Sequence, residues 1–203
     1  MGILLKDCDW VVTQDPQRRI LRNSSVRISD GRIDEVGELK PVSKDDIIDC
    51  RKKVLIPGLI NTHTHLSMTL FRGYADDLEL QEWLEQKIWP LEKRLTGDMC
   101  YQGALLGSLE MTRTGTTCFV DMYFHMERVA EAVQEAGLRA VLSYGIIDTS
   151  KDDEGKKGER ESTVKFLQHI KSMNQPRLEF AIGLHAPYSC GEDTLLWLSL
   201  IHI

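Results

Sequence analysis

Two of the six histidines in this 203-residue chain, His63 and His65, stand one residue apart in the stretch PGLINTHTH, which follows the apolar run VLI at 54–56. Side chains alternate between faces along a strand, so both imidazoles point one way while Thr62 and Thr64 point the other. Neutral imidazole is a common ligand for divalent zinc and also suits iron or nickel. The pair therefore reads either as part of a metal site or as two polar side chains satisfied by hydrogen bonds. Its position at the end of an apolar strand favours the first reading, because barrel enzymes build their sites at strand C-termini.

The elements that must position this pair follow from the hydrophobic pattern. Residues 1–56 read as a small, sandwich-like antiparallel β domain. Within it, Asp30-Gly31 divides two alternating runs, SVRIS and RIDEVG, and an Asp-Gly pair in that place is a hairpin signal. From Pro57 onward the pattern changes to apolar strands alternating with helical stretches. The strands are VLIPGLINTHTH, TTCFVDMYF, LRAVLSYGII and RLEFAIGLHAPY. Helices are expected over about 79–114, over ERVAEAVQEAG, and near 160–173. Gly115 and Gly137 stand where helix C-termini favour a residue tolerant of positive φ. Alternating strands and helices imply a parallel sheet with right-handed crossovers. The fold class is thus α/β, with residues 57–203 forming about four βα units, half of a (β/α)8 barrel. The charged run SKDDEGKKGERE at 150–161 reads as a solvated loop on the strand-end face.

Composition narrows the function. A formal charge of −6 argues against a nucleic-acid partner, which calls for an excess of Lys and Arg. No apolar run approaches the roughly 18 residues of a membrane span. The opening MGILLKDCDW is unlike a signal peptide, and Lys6 stands where a myristoylation pattern has Ser or Thr. The five cysteines form an odd set without a C-x-x-C pair, which reads as reduced thiols in a cytoplasmic protein.

Longer stretches carry a resemblance. PGLINTHTHLSMTLFRGYADDLELQEWLEQKIWPLEKRLT, GTTCFVDMYFH and GLHAPYSC together resemble the amidohydrolase superfamily. Within it they are most similar to the 5′-methylthioadenosine/S-adenosylhomocysteine deaminases, with 5′-deoxyadenosine deaminases as near relatives. The resemblance implies hydrolytic deamination of an adenosine derivative, with a divalent metal, zinc first and iron or nickel as alternatives, as cofactor. By position it makes His63 and His65 metal ligands and places Glu92 on the ribose hydroxyls. It sets Trp83 as an aromatic wall of the purine pocket and His185 against the substrate. Arg160 falls near the 5′ substituent, and Tyr144 stands where some relatives have a pocket arginine. The plain alternatives are a surface position for Glu92, a core position for Trp83 and a buried, carbonyl-bonded His185.

The resemblance also implies residues that this sequence lacks. The family's third metal histidine arrives together with its proton-shuttling glutamate as H-x-x-E on a fifth strand, and a metal-binding aspartate comes on an eighth. His202 in LIHI is not expected to substitute, since about a dozen residues after Cys190 cannot hold a helix and the return to a parallel strand. The chain is accordingly expected to be the N-terminal half of such an enzyme, without a complete acid/base set. A non-catalytic fragment is the alternative, as is an amidohydrolase acting on guanine or a chlorinated triazine. A homo-oligomer or a complementary C-terminal piece are the expected protein partners, and a small nucleoside is the expected substrate.

Overall fold

The computed structural model describes residues 2–201, so His202 lies outside the described residues. The chain divides into two compact units, Met1–Gly58 and Leu59–Ile203. No helix among the described residues is long and apolar enough to cross a membrane.

The first unit is a five-stranded sheet of β1 (Gly2–Val12), β2 (Ile20–Ser29), β3 (Arg32–Gly37), β4 (Asp45–Asp49) and β5 (Val54–Leu55). The β2–β3 hairpin turns at Asp30 and Gly31, with φ of 50° and 73°. Two consecutive positive φ values are what a tight hairpin turn requires of its central residues. The sheet is mixed rather than antiparallel, because β4 and β5 both lie parallel to β1. Alternation within each run reveals a strand but not the direction in which a neighbour returns. Val54 and Leu55 pair with Trp10 and Val11, so the VLI run belongs to this sheet and not to the strand bearing the histidines. Cys8, Val11, Val26 and Cys50 form its small core.

The second unit begins with β6 (Leu59–Thr64), followed by a 3-10 turn at Leu66–Phe71. A helical segment then runs through α1 (Leu80–Glu82), a π-helical stretch (Trp83–Ile88) and α2 (Trp89–Glu92). After it come α3 (Gly97–Thr114), β7 (Thr116–Tyr123), α4 (Met126–Ala136), β8 (Arg139–Ile146) and α5 (Asp153–Met173). Two short strands, β9 (Leu178–Phe180) and β10 (Gly183–Leu184), and α6 (Glu192–Ile201) complete it. The strands are all parallel, in the order β6-β7-β8 with β9 and β10 together on the far side of β8. The curled sheet is the first half of a (β/α)8 barrel.

Local chemistry explains the boundaries. Thr96 caps α3 by accepting from the Met99 amide, and Gly115 ends it at φ 87°. Gly137 ends α4 in the same left-handed conformation, at φ 79°. Met126, Val129, Ala130 and Val133 recur at helical spacing along α4, and all are fully buried against Phe119, Leu142 and Phe166. Full burial of each larger aliphatic contributes roughly 1.5–3 kcal/mol. The charged run at 150–161 departs from its expected loop, since α5 already starts at Asp153. Asp152 caps it by accepting from the Gly155 amide, and Asp153 and Glu154 complement the helix dipole in the first turn.

Candidate active site

The C-terminal ends of the parallel strands meet at one rim, where α/β proteins place their ligands. His63 and His65 leave the end of β6 with ring centroids 5.3 Å apart, their planes at 77°. His65 Nδ1 lies 2.7 Å from the Met122 carbonyl oxygen. A carbonyl only accepts, so in the neutral ring Nδ1 carries the hydrogen and Nε2 keeps its lone pair. That is the tautomer a metal ligand needs. Among the described residues, no group of three or more His, Cys, Asp or Glu side chains is arranged to hold a metal ion. By donor chemistry the two imidazoles fit a divalent ion and supply two ligands, where a catalytic zinc site takes three from protein.

Beside His65 lies a cavity of about 110 Å³, lined also by Trp83, Glu92, His185, Met68 and Met122. The helical segment from Leu80 to Glu92 forms one wall. Its π-helical turn widens the spacing, and Trp83, Leu84, Ile88, Trp89 and Glu92 all reach the lining. Glu92 is thereby drawn off the surface and partly desolvated. Burial pushes its carboxyl above the usual range, opposed by a hydrogen bond from Tyr123 and by nearby His65. Opposite, His185 follows β10, with Nδ1 2.8 Å from the Ser189 hydroxyl. Burial, and then His65, hold its imidazole below the usual range, which keeps it uncharged at neutral pH.

The structure thus brings His65, Trp83, Glu92 and His185 to one cavity and sets His63 against His65. It does not bring Arg160 there. That guanidinium sits on α5 and donates to Asp193 Oδ2 at 2.8 Å and to the Thr194 hydroxyl at 3.0 Å, at the start of α6. By composition, residues 150–161 are expected to form a loop from which Arg160 could reach a substrate; residues 153–161 are instead the first turns of α5 and turn Arg160 toward α6. Tyr144 faces the buried Glu159, whose carboxylate also takes the Lys151 ammonium.

Two residues in FVDMYF, Asp121 and Tyr123, escape a reading of the sequence alone. Both are buried on β7, where alternation marks them only as core positions. The Tyr123 hydroxyl donates to Glu92 Oε1 at 2.8 Å. A Tyr with a polar neighbour inside a core is the signal that such a partner exists.

The Tyr123 bond stabilises the charged form of Glu92, so Tyr123→Phe is expected to raise the Glu92 pKa further. A carboxyl whose folded pKa exceeds its unfolded value loses stabilisation as pH rises through that interval. Relative to wild type, the variant should therefore lose stability over a wider stretch of the acidic range. A 13C titration of the Glu92 carboxyl reads the shift directly. An unchanged titration midpoint would rule out the hydrogen bond.

Comparison with known proteins adds to this geometry. Residues 54–201 match the family model described as "Amidohydrolase family". A 5-methylthioadenosine/S-adenosylhomocysteine deaminase of Thermococcus sibiricus is 48% identical over 198 residues, 98% of this chain and 46% of that relative. A 5′-deoxyadenosine deaminase of Methanothermobacter thermautotrophicus is 53% identical over 176 residues, 86% of this chain and 41% of the relative. The chain therefore spans under half the length of these curated relatives. Among solved structures, an adenosine deaminase from Xanthomonas campestris with bound zinc superimposes with a TM-score of 0.78 at 28% identity, covering 98% of this chain and 46% of that one.

Proposed function

This chain belongs to the amidohydrolase family, and from that premise we propose that its barrel mouth is the nucleoside-binding half of a metal-dependent aminohydrolase. Its substrates would be adenosine derivatives such as 5′-methylthioadenosine, S-adenosylhomocysteine or 5′-deoxyadenosine. The observation that carries this reading is the convergence of Trp83, Glu92, His185 and His65 on one cavity, with His63 set against His65.

Each residue has a task its chemistry suits. Trp83, Met68 and Met122 offer an apolar wall to a purine ring. Glu92 has one oxygen engaged by Tyr123, and as a carboxylate it can accept from both ribose hydroxyls. His185, kept neutral, offers a polar contact without a charge to desolvate. His63 and His65 would hold the divalent ion, with zinc as the first choice; when bound, it would supply Lewis acidity for the hydrolytic loss of the purine's exocyclic amino group. Proton transfer to the purine is assigned to no residue of this chain.

The test is equilibrium binding of 5′-methylthioadenosine, followed by the fluorescence of Trp83 and Trp89 at the cavity. Loss of hydrogen bonds to a charged group costs roughly 1.5–3 kcal/mol, so Glu92→Ala should weaken binding about 10- to 100-fold. A 2′,3′-dideoxy analogue should bind the wild type about as weakly, with no further loss in the variant. Equal binding of the dideoxy and ribose forms would instead favour a substrate without ribose, such as guanine or a chlorinated triazine.

A further inference from the structure

The strand end that carries the two histidines is poorly held by its own ladder. Pairing of β6 with β7 slips between Leu59 and Ile60 and again between Asn61 and Thr64, just where His63 stands. Side-chain and carbonyl bonds take the ladder's place. The Thr64 hydroxyl lies 2.8 Å from both the Val120 carbonyl and Asp121 Oδ1. The Leu66 amide donates to that same Oδ1 at 2.7 Å. His65 is therefore bracketed, one residue to each side, by groups tied to a single carboxyl oxygen.

Asp121 is a costly choice for this place. It is 0% exposed, its Oδ2 has no hydrogen-bond partner, and it makes no ion pair among the described residues. A core position that needed only packing would be filled by an apolar side chain without that desolvation penalty. What an apolar side chain lacks is an acceptor able to reach two donors at once, the Thr64 hydroxyl at the end of β6 and the Leu66 amide at the start of the 3-10 turn.

We infer that Asp121 is a positioning residue for the histidine pair. Its Oδ1 fixes the backbone from Thr64 to Leu66, and this sets the His65 ring where Nδ1 reaches the Met122 carbonyl and the ring lies against the cavity. The inference deepens the proposed function and rests on it only for its metal readout.

The first measurement needs no metal. Long-range 15N correlation spectra report the tautomer of His65, expected to be Nδ1–H in the wild-type chain. Asp121→Asn keeps an oxygen at Oδ1 and should preserve that tautomer. Asp121→Ala removes the acceptor and should give a mixture of tautomers. Thr64→Val deletes one of the two donors at nearly constant volume and should shift the population in the same direction, which carries the test if D121A does not fold. The second measurement is zinc affinity by competition with a chromophoric chelator. Loss of a residue that orients a metal ligand typically weakens binding 10- to 100-fold, so D121A should lose at least tenfold and D121N less than about threefold.

A wild-type tautomer in both D121A and T64V would overturn the inference, as would a loss of affinity in D121N equal to that in D121A. Absence of zinc binding in the wild-type chain would sink the metal reading alone, and the tautomer spectra would still decide whether Asp121 positions His65.

Discussion

Changing both His63 and His65 to Ala is expected to remove specific divalent-metal binding from this chain altogether. The two rings are the only histidines placed against each other at the barrel mouth among the described residues, with centroids 5.3 Å apart. One of them has its tautomer set by a backbone carbonyl. A single substitution leaves one imidazole, which gains nothing from chelation, so each single variant should already bind at least about tenfold more weakly. Cysteine does not replace the pair: four of the five thiols are buried, and burial pushes that of Cys8 up to about 11, far from the thiolate a metal requires. Stability should change little, because His63 is exposed and the bonds from Thr64 and Leu66 to Asp121 use neither ring. Equilibrium dialysis against zinc with elemental analysis, alongside circular dichroism, measures both effects. An unchanged metal stoichiometry in a folded double variant would remove the basis of the proposed site.

How far the sequence led depends on whether a feature is local. The hairpin at Asp30-Gly31, the left-handed stops at Gly115 and Gly137, and the alternation of strand with helix depend on a few neighbouring residues, and each stands where its pattern places it. The rings of His63 and His65 do come together, with centroids 5.3 Å apart, but β6 slips at His63 and ends at Thr64, so the two-residue period of a strand does not by itself account for it. The direction of β4 and β5 beside β1 is a long-range choice and left no mark in their short runs. The start of α5 was hidden for a different reason. Its first turns carry charge that composition ascribes to a loop, while the Asp152 cap and the acidic first turn are what make a helix there. Arg160 follows from that error, since on a helix its guanidinium reaches Asp193 and Thr194. Asp121 and Tyr123 were obscured because a polar group buried on a strand gives no period of its own; only the partner across the sheet shows why it is there.

Gly103→Ala is expected to destabilise the second unit by about 1–3 kcal/mol, despite the higher helix propensity of alanine. The 3-10 turn at Leu66–Phe71 packs on α3 so closely that a Cβ at Gly103 would meet the Ser67 carbonyl oxygen at 2.6 Å and the Leu70 Cγ at 3.0 Å. The first of these is backbone and cannot rotate away. Two hydroxyls hold the turn against the helix, Ser67 donating to the Cys100 carbonyl at 2.9 Å and Thr69 to that of Gly103 at 2.8 Å. The added methyl must therefore push the turn off these acceptors or strain α3. Gly107 supplies the contrast. Its nearest obstacle is the Leu66 Cδ1 at 2.5 Å, the tip of a side chain that can change rotamer, so Gly107→Ala should cost less. Gly158 in α5 has nothing within 4 Å, and Gly158→Ala should stabilise by up to about 1 kcal/mol. Urea unfolding of the three variants orders them, and a Gly103→Ala chain as stable as wild type would show that the turn does not bear on the helix. Because the turn starts at Leu66, directly after His65, the same displacement pulls on the amide that Asp121 holds. Gly103→Ala should then weaken zinc binding as well, without touching a ligand, whereas Gly158→Ala should leave it unchanged.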